Sequence, residues 1–343
     1  MAQNSQFPQF PPAVAPNFGE PLEVLPGIYW LSTALPFRLR SINLWLLRDR
    51  DGWTMVDCGF PLPEVKQQIE AGWSRILDGR PITRLIVTHH HPDHVGNCRW
   101  ICERWGIVPT MTRGEYERAQ RLMGARWAQE TGDRLSFWQR HGLPEAAATE
   151  VNSQWGRHRR HFELPPANLN LIEEGSLLRI GGADWRVLVV QGHSPEQALL
   201  YSPERNLLLS GDQILPRITP NVSVFGVRAD QDPLGRFLRS NRRVAQNCAE
   251  ALVLPSHETP FVGLQARIQA IESHHEERLA NIVKELTATP RTAAAFLPIL
   301  FGKLNGHEIG FAIGEVIAHL LHLVALGRAQ TAEHNGKIVF AAA

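Results

Sequence analysis

The stretch THHHPDH at residues 88–94 is the most informative part of this chain, because it places three candidate imidazole ligands and a carboxylate in one short turn. Neutral imidazole and carboxylate groups bind zinc and its first-row neighbours, and a catalytic site leaves a coordination position open for water. In the spacing H-x-H-x-D-H, His89 and His91 point the same way from an extended segment and can share one ion. Asp93 and His94 lie on the following turn and face a second ion. The stretch therefore predicts a site for two divalent metals.

The flanking residues predict a strand before this turn and a helix after it. Residues 84–88 (RLIVT) form a short apolar run rich in β-branched side chains, which is typical of a buried strand. Residues 95–105 have the composition of a helix. A surface histidine tract would not explain an aspartate at this offset between a strand and a helix. The pattern therefore favours a metal site.

Four further segments follow apolar strands and, with the metal turn, resemble the metallo-β-lactamase superfamily. VVQGHSP at 189–195 resembles its third histidine motif, and LLSGD at 208–212 resembles its bridging aspartate. LVLPSH at 252–257 resembles its last histidine, and TMVDCG at 54–59 resembles its early D-x-G strand end. The resemblance covers roughly residues 22–270. It implies an α+β fold, a four-layer αβ/βα sandwich.

The resemblance also implies the ligands of two divalent ions, zinc with iron or manganese as alternatives. One ion would be bound by His89, His91 and His193. The other would be bound by Asp93, His94 and His257, and Asp212 would bridge the two ions. Asp93 and Asp212 are the candidate catalytic residues. Water between two cations about 3.5–4 Å apart loses its proton near neutral pH and becomes a nucleophile. Asp57 would orient a ligand histidine, and His90 would point away from the metals in a supporting role.

Composition is that of a soluble enzyme. With 343 residues, 43% apolar and 20% charged, the chain can form one large domain and a small one. A net charge of +1 gives no overall field for nucleic acid. No apolar stretch reaches about 18 residues, no leader pattern opens the chain, and four cysteines form no disulfide framework. We therefore expect a cytoplasmic protein that contacts no membrane.

The chain divides into three parts. Residues 1–20 predict a flexible arm, residues 21–272 a catalytic domain, and residues 273–343 a small C-terminal domain. Residues 113–163 exceed what the connection between the metal motifs needs, and predict an inserted helical lid. Five residues of this insert are candidate contacts for a small acyl substrate: Tyr116, Trp127, Trp138, Arg157 and Arg160. The alternative is that the aromatics fix the insert to the sandwich and that the basic cluster is solvated.

The C-terminal part predicts three helices followed by a hairpin at Asn335-Gly336. GEVIAHL at 314–320 and SHETPF at 256–261 resemble a metallo-β-lactamase subgroup, the beta-lactamase-like protein 2 type, which implies a winged-helix-like domain. A DNA reader should carry a basic helix face, but residues 273–343 hold six basic and six acidic residues. We therefore predict a structural or dimerisation module, giving a possible homodimer, that also walls part of the active-site cleft.

Three functions fit this sequence. The first is a dinuclear hydrolase in which metal-bound hydroxide attacks the carbonyl of a thioester, ester or lactone. The second is a metal-dependent single-strand RNA endonuclease, for which only the basic cluster at 157–161 offers a groove, so nucleic acid is not the expected partner. The third is a non-catalytic metal-binding regulatory protein. The metal turn resembles that of glyoxalase II, but Glu196-Gln197 departs from that pattern. Asp212 stands where class B β-lactamases have a cysteine ligand.

Overall fold

Two sheets form the centre of the molecule. The computed structural model describes residues 14–343 except 158, 227–231, 287–288 and 305. The first sheet has seven strands in chain order, antiparallel from β1 to β4 and parallel from β4 to β7. These strands are β1 (Leu22–Leu25), β2 (Ile28–Ala34), β3 (Ser41–Arg48), β4 (Trp53–Val56), β5 (Ile82–Ile86), β6 (Pro109–Met111) and β7 (Asn170–Leu171).

The second sheet has five strands in the order β12-β11-β10-β9-β8, and only β11 and β12 pair in parallel. The strands are β8 (Leu177–Ile180), β9 (Ala183–Val190), β10 (Gln197–Ser202), β11 (Leu207–Gly211) and β12 (Leu252–Pro255). The hairpin signals at Gly181-Gly182 and 204–206 are confirmed, since they connect β8 to β9 and β10 to β11.

The inner faces of the two sheets bury a common core. Trp30 and Trp45 stack with ring centroids 5.9 Å apart, and Trp185 from the second sheet is fully buried in the same cluster. Large aromatic side chains contribute much of the apolar area that such a core removes from water. This packing holds the ends of both sheets together at the edge where the metal motifs lie.

Helices cover both outer faces and complete the four-layer α/β sandwich, which confirms the predicted fold. The first face carries α1 (Pro63–Ile76), α2 (Pro92–Val95) and α3 (Cys98–Trp105). The second carries α8 (Pro233–Cys248) and α9 (Leu264–Glu285). In α1, Val65, Ile69 and Trp73 recur at helical spacing and are buried, which explains why this segment is a helix.

Residues 113–157, within the predicted helical insert, form four helices. They are α4 (Arg113–Met123), α5 (Arg126–Gln129), α6 (Thr131–Arg140) and α7 (Glu145–Arg157). The first break follows Gly124, whose backbone N–H still bonds the Gln120 carbonyl. Met123 packs on the first helical layer, while Phe137 and Val151 pack with the second layer and the C-terminal helices. The insert therefore joins the two halves of the molecule.

The C-terminal region contains α10 (Leu297–Phe301), α11 (Gly306–Ala325), and a sheet of β13 (Arg291–Thr292), β14 (Ala329–His334) and β15 (Lys337–Ala342). The predicted hairpin is confirmed, and β13 adds a third strand to it. The proposed boundary between residues 272 and 273 falls inside the continuous helix α9. Helix α11 is also long and apolar enough to cross a membrane, although 61% of that stretch is buried in the fold.

Candidate metal centre

The predicted metal ligands lie at one edge of the two sheets, on the turns that follow strands. The 88–94 turn follows β5, His193 follows β9, Asp212 follows β11, and His257 follows β12. The backbone of Gly192 adopts φ 113°, and a Cβ there would collide with Phe237 of α8. Glycine therefore lets the His193 turn approach the helix closely.

One group of ligand atoms belongs to three histidines. The Nε2 of His89 lies 2.9 Å from the Nδ1 of His91 and 3.3 Å from the Nε2 of His193. Neighbouring ligand atoms around a tetrahedral ion with bonds of about 2.0–2.1 Å have similar separations. These three histidines and Asp212 could together hold one cation.

A second group comprises Asp93, His94 and His257. The Nε2 of His257 lies 3.4 Å from Asp93 Oδ2. Asp212 lies between the two groups. Its Oδ1 is 3.2 Å from His94 Nε2 and 3.3 Å from His257 Nε2, while its Oδ2 is 3.5 Å from His193 Nε2. Each oxygen of this carboxylate therefore faces a different ligand group.

Four of the five clustered histidines have an acceptor on the ring nitrogen that faces away from the cluster. His193 Nδ1 donates to the Asn221 carbonyl and His257 Nδ1 to the Ser41 carbonyl, each at 2.8 Å. Since a carbonyl can only accept, both Nδ1 atoms carry the proton and leave Nε2 as the ligand atom. His94 Nδ1 lies 2.8 Å from Asp57, and His89 Nδ1 3.0 Å from the Thr88 hydroxyl.

These residues fit a pair of cations. His94 Nε2 and Asp212 Oδ1 are buried and have no hydrogen-bond partner in the described part of the chain. Burial lowers the pKa of His257, but the carboxylates of Asp212 and Asp93 outweigh it and raise that pKa to about 10. The carboxylates likewise raise the pKa of His94 against the effect of burial. The cluster thus stabilises positive charge where metal ions would bind.

Asp57 lies where β4 ends and supports the metal turn. Its φ of 65° is in the left-handed region, which aspartate tolerates better than most side chains. One carboxylate oxygen accepts the backbone N–H of Thr88 at 2.8 Å, and the other accepts the Thr88 hydroxyl at 3.0 Å. Together with the contact to His94, these bonds fix the end of β5 against β4.

His90 points away from the ligand groups and binds Glu115 of helix α4. Glu115 is fully buried and accepts hydrogen bonds from the backbone N–H and Nδ1 of His90, at 2.9 and 2.5 Å. It also accepts the Ser194 hydroxyl at 2.6 Å and the Glu196 N–H at 2.7 Å. Burial raises the pKa of Glu115, but His90 and the hydrogen bonds lower it overall. One carboxylate thus connects two metal-binding turns to the insert.

Glu196, the departure from the glyoxalase II pattern, has a related role. Its carboxylate accepts the N–H of Gly114 at 2.7 Å, and its carbonyl accepts the Thr112 hydroxyl at 2.8 Å. The side chain therefore satisfies a free N–H group at the start of α4, where the helix favours negative charge. No local sequence pattern marks Glu115 or Glu196 as a support of the metal turns, because both roles depend on how α4 packs against those turns.

The five candidate substrate contacts lie in different environments. Trp127 and Trp138 line a cavity beside the metal turn. Tyr116 does not line it, because its hydroxyl donates to the carbonyls of Pro166 and Ala167, a structural contact. The side chains of Arg157 and Arg160 lie outside the described part of the structure.

The C-terminal region reaches one metal ligand indirectly. Asn221, whose carbonyl accepts His193 Nδ1, donates from its side-chain amide to Glu315 of α11 at 3.3 Å. Arg278 of α9 lies 3.5 Å from Glu315. The residues that line the described cavity come from the insert, the metal turn and the segment at 225–226. The predicted wall of the cleft is therefore supported, but not lined, by C-terminal residues.

Two sheets between helical layers, with two histidine and aspartate groups at one edge, define a protein of the metallo-hydrolase class. Residues 38–263 match the family described as the metallo-beta-lactamase superfamily, and residues 279–343 match its "Metallo-beta-lactamase-like, C-terminal domain". The chain belongs to the metallo-β-lactamase superfamily.

Solved and curated relatives agree with this assignment. A crystal structure of a beta-lactamase domain protein from Burkholderia ambifaria is 38% identical, with a TM-score of 0.87 over 96% of each chain. The "Probable metallo-hydrolase YqjP" of Bacillus subtilis is 24% identical over 83% of this chain and 88% of its own. The "Acyl-coenzyme A thioesterase MBLAC2" of Gallus gallus is 26% identical over 55% of this chain and 63% of its own.

Proposed function

We propose that this protein is a dinuclear metal-dependent hydrolase that acts on the carbonyl of a thioester, ester or lactone. The observation that carries the proposal is the position of Asp212, whose two oxygens face two separate ligand groups. The thioesterase name of the Gallus gallus relative favours an acyl substrate. Zinc is the metal we expect, and the composition favours a cytoplasmic location.

His89, His91 and His193 would hold one ion, and Asp93, His94 and His257 would hold the other, with Asp212 between the two groups. When bound, such ions would supply an activated water and a positive charge near the carbonyl oxygen of the substrate. The ligand carboxylates set the charge of the site, and the Nδ1 acceptors hold each imidazole in its orientation. No serine or cysteine nucleophile is needed.

The test is hydrolysis by metal-quantified wild type and Asp212→Asn protein. The panel contains acyl-coenzyme A and glutathione thioesters, lactones, and single-stranded RNA. Asp212→Asn removes the charge between the two ligand groups. We expect it to bind less metal and to lose more than about 100-fold in kcat/KM, exceeding the 10–100-fold typical of outer residues.

Asp184→Asn is the matched control, because Asp184 is an exposed β9 residue paired with Arg179 at 2.9 Å. It should retain the metal content and the activity of the wild type. Full activity and two metals in Asp212→Asn would exclude the dinuclear proposal. Cleavage of RNA alone would favour a nuclease, and a fully metallated protein inactive on the whole panel would favour a non-catalytic role.

A further inference from the structure

A cavity of about 320 Å³ lies beside the metal turn. His90, His91 and Pro92 form one wall, so the cavity adjoins a metal ligand. The insert helices α4 to α7 form most of the remaining lining. The volume is near the lower end of the roughly 300–1,000 Å³ typical of small-molecule sites, so a short acyl group fits it better than a whole coenzyme A group does.

Much of the lining is apolar, which suits a hydrocarbon acyl chain. The apolar side chains that line it are Leu122, Met123, Trp127, Trp138, Phe162 and Phe225. Such a surface binds alkyl or aryl groups by removing apolar area from water.

The same cavity is also positively charged. Four arginines line it against two carboxylates, Glu130 and Asp133. Arg121 is already neutralised, because its guanidinium contacts both oxygens of Glu130, at 2.7 and 3.2 Å. Arg159 donates to the backbone carbonyls of Met123 and Gly124.

The other two arginines keep donors without protein acceptors. Arg134 lies over the Trp127 ring at 3.6 Å and donates to Asn152 and Thr131. Its Nη1 is nevertheless buried and has no hydrogen-bond partner among the described residues. Arg118 forms no hydrogen bond or ion pair with the described part of the chain, and burial lowers its pKa. Both guanidinium groups line the cavity, so a ligand there that supplies acceptors would be favoured.

We propose that this cavity binds an acyl group that ends in an anion, with Arg118 and Arg134 contacting the anionic end and the aromatic wall contacting the chain. A carboxylate and a phosphate both match the guanidinium fork. This inference rests on the proposed function, since the carbonyl carbon to be attacked would lie at the His91 end of the cavity.

The first experiment compares thioesters that share one leaving group and differ only at the far end of the acyl chain. Adipoyl and hexanoyl thioesters form a charged and neutral pair, and a 6-phosphonohexanoyl thioester tests phosphate-like anions. We expect kcat/KM to be at least about tenfold higher for one anionic substrate, because hydrogen bonds to charged groups contribute about 1.5–3 kcal/mol. The faster of the two anionic substrates shows whether the cavity prefers a carboxylate or a phosphate-like group.

Arg118→Met and Arg134→Met should each reduce the ratio of the anionic to the hexanoyl kcat/KM by about tenfold or more. Arg179→Met is the matched control, because Arg179 is exposed and paired with Asp184. It should leave both rates unchanged. Loss of both rates in equal proportion in the two cavity variants would contradict a role in binding the anion.

A binding measurement separates this inference from the proposed function. Calorimetry on the metal-loaded full chain compares adipate with hexanoate, which both offer one carboxylate to the metals. Tighter binding of adipate that is lost in Arg118→Met supports the inference even if no thioester is hydrolysed, a result that would count only against the proposed function. Equal binding of the two acids and equal rates for all three thioesters would overturn the inference and leave the hydrolase proposal standing.

Discussion

The metal ligands and the helical insert differ in how their functional residues are encoded. The ligands follow directly after strands, so a few neighbouring residues determine where each side chain lies. The important residues of the insert, such as Glu115, Arg118 and Arg134, lie on short helices among similar polar residues. Only packing against the 88–94 turn and the cavity distinguishes them. The predicted metal-binding residues can therefore be identified from short sequence motifs, whereas the residues that support them or line the cavity cannot.

Glu115→Gln should have the largest effect on how the insert is held to the metal turns. The buried carboxylate accepts four hydrogen bonds, and an amide would direct its NH2 group at some of those donors. We expect the free energy of unfolding to fall by about 1.5–3 kcal/mol, the size typical of hydrogen bonds to a charged group. Urea unfolding of the metal-loaded protein measures this change.

Glu117→Gln is the matched control for that experiment. Glu117 is exposed on the same helix and, in the described part of the structure, pairs with Arg113 at 4.0 Å. Such a surface ion pair contributes little, so the unfolding free energy should change by less than about 1 kcal/mol. Equal stability of the two variants would show that the insert is not held to the metal turns through Glu115.

Much of the fold could be predicted because neighbouring residues alone specify strands rich in β-branched side chains and turns that contain glycine. The seven predicted ligand residues lie in two adjoining groups, and hairpins occur where Gly181-Gly182 and Asn335-Gly336 predict them. The continuous helix α9 was also encoded, since no glycine or proline interrupts Leu264–Glu285.

Other features could not be predicted from local sequence. Glu115 lies in the first turn of a helix, where an acidic residue usually needs no explanation beyond the helix dipole. Its hydrogen bonds to His90 and Ser194 depend on how α4 packs across two turns separated by about a hundred residues. Likewise, Tyr116 and Trp127 are both aromatic, yet only Trp127 faces the cavity.

Acidic pH should weaken the C-terminal region through two buried histidines. His275 Nδ1 lies 3.1 Å from His319 Nε2, and His274, Arg278 and His322 surround this pair. Burial and these neighbours lower the pKa of His275 to about 2, and burial lowers that of His319 to about 4. Both are therefore neutral in the folded state near pH 6.5, where they begin to gain protons in the unfolded state.

Stability contributed by these groups is complete above about pH 6.5 and declines as the pH falls towards 4, because the unfolded chain then binds more protons. Between pH 6.5 and 5.5 we expect a loss of about 1 kcal/mol for each histidine. Urea unfolding at the two pH values measures it. His319→Gln should have a shallower pH dependence than the wild type. Identical pH dependence in the two proteins would show that this histidine pair does not cause the acid sensitivity.

Asn221 connects the His193 turn to the C-terminal helix α11, and substituting it should change metal affinity only slightly. Asn221→Ala keeps the backbone carbonyl that accepts His193 Nδ1, but removes the side-chain bond to Glu315 of α11. If the C-terminal region helps to position this ligand, the variant should bind metal up to about tenfold more weakly, at the low end for outer residues. Metal titration with a competing chelator measures the affinity.

Ser223→Ala is the control, because Ser223 also donates to the Asn221 side chain without contacting a metal ligand. An unchanged affinity in Asn221→Ala, with normal stability, would mean that the strand-end motif positions His193 without help from the C-terminal helices. The metal centre would then be encoded locally even in its support.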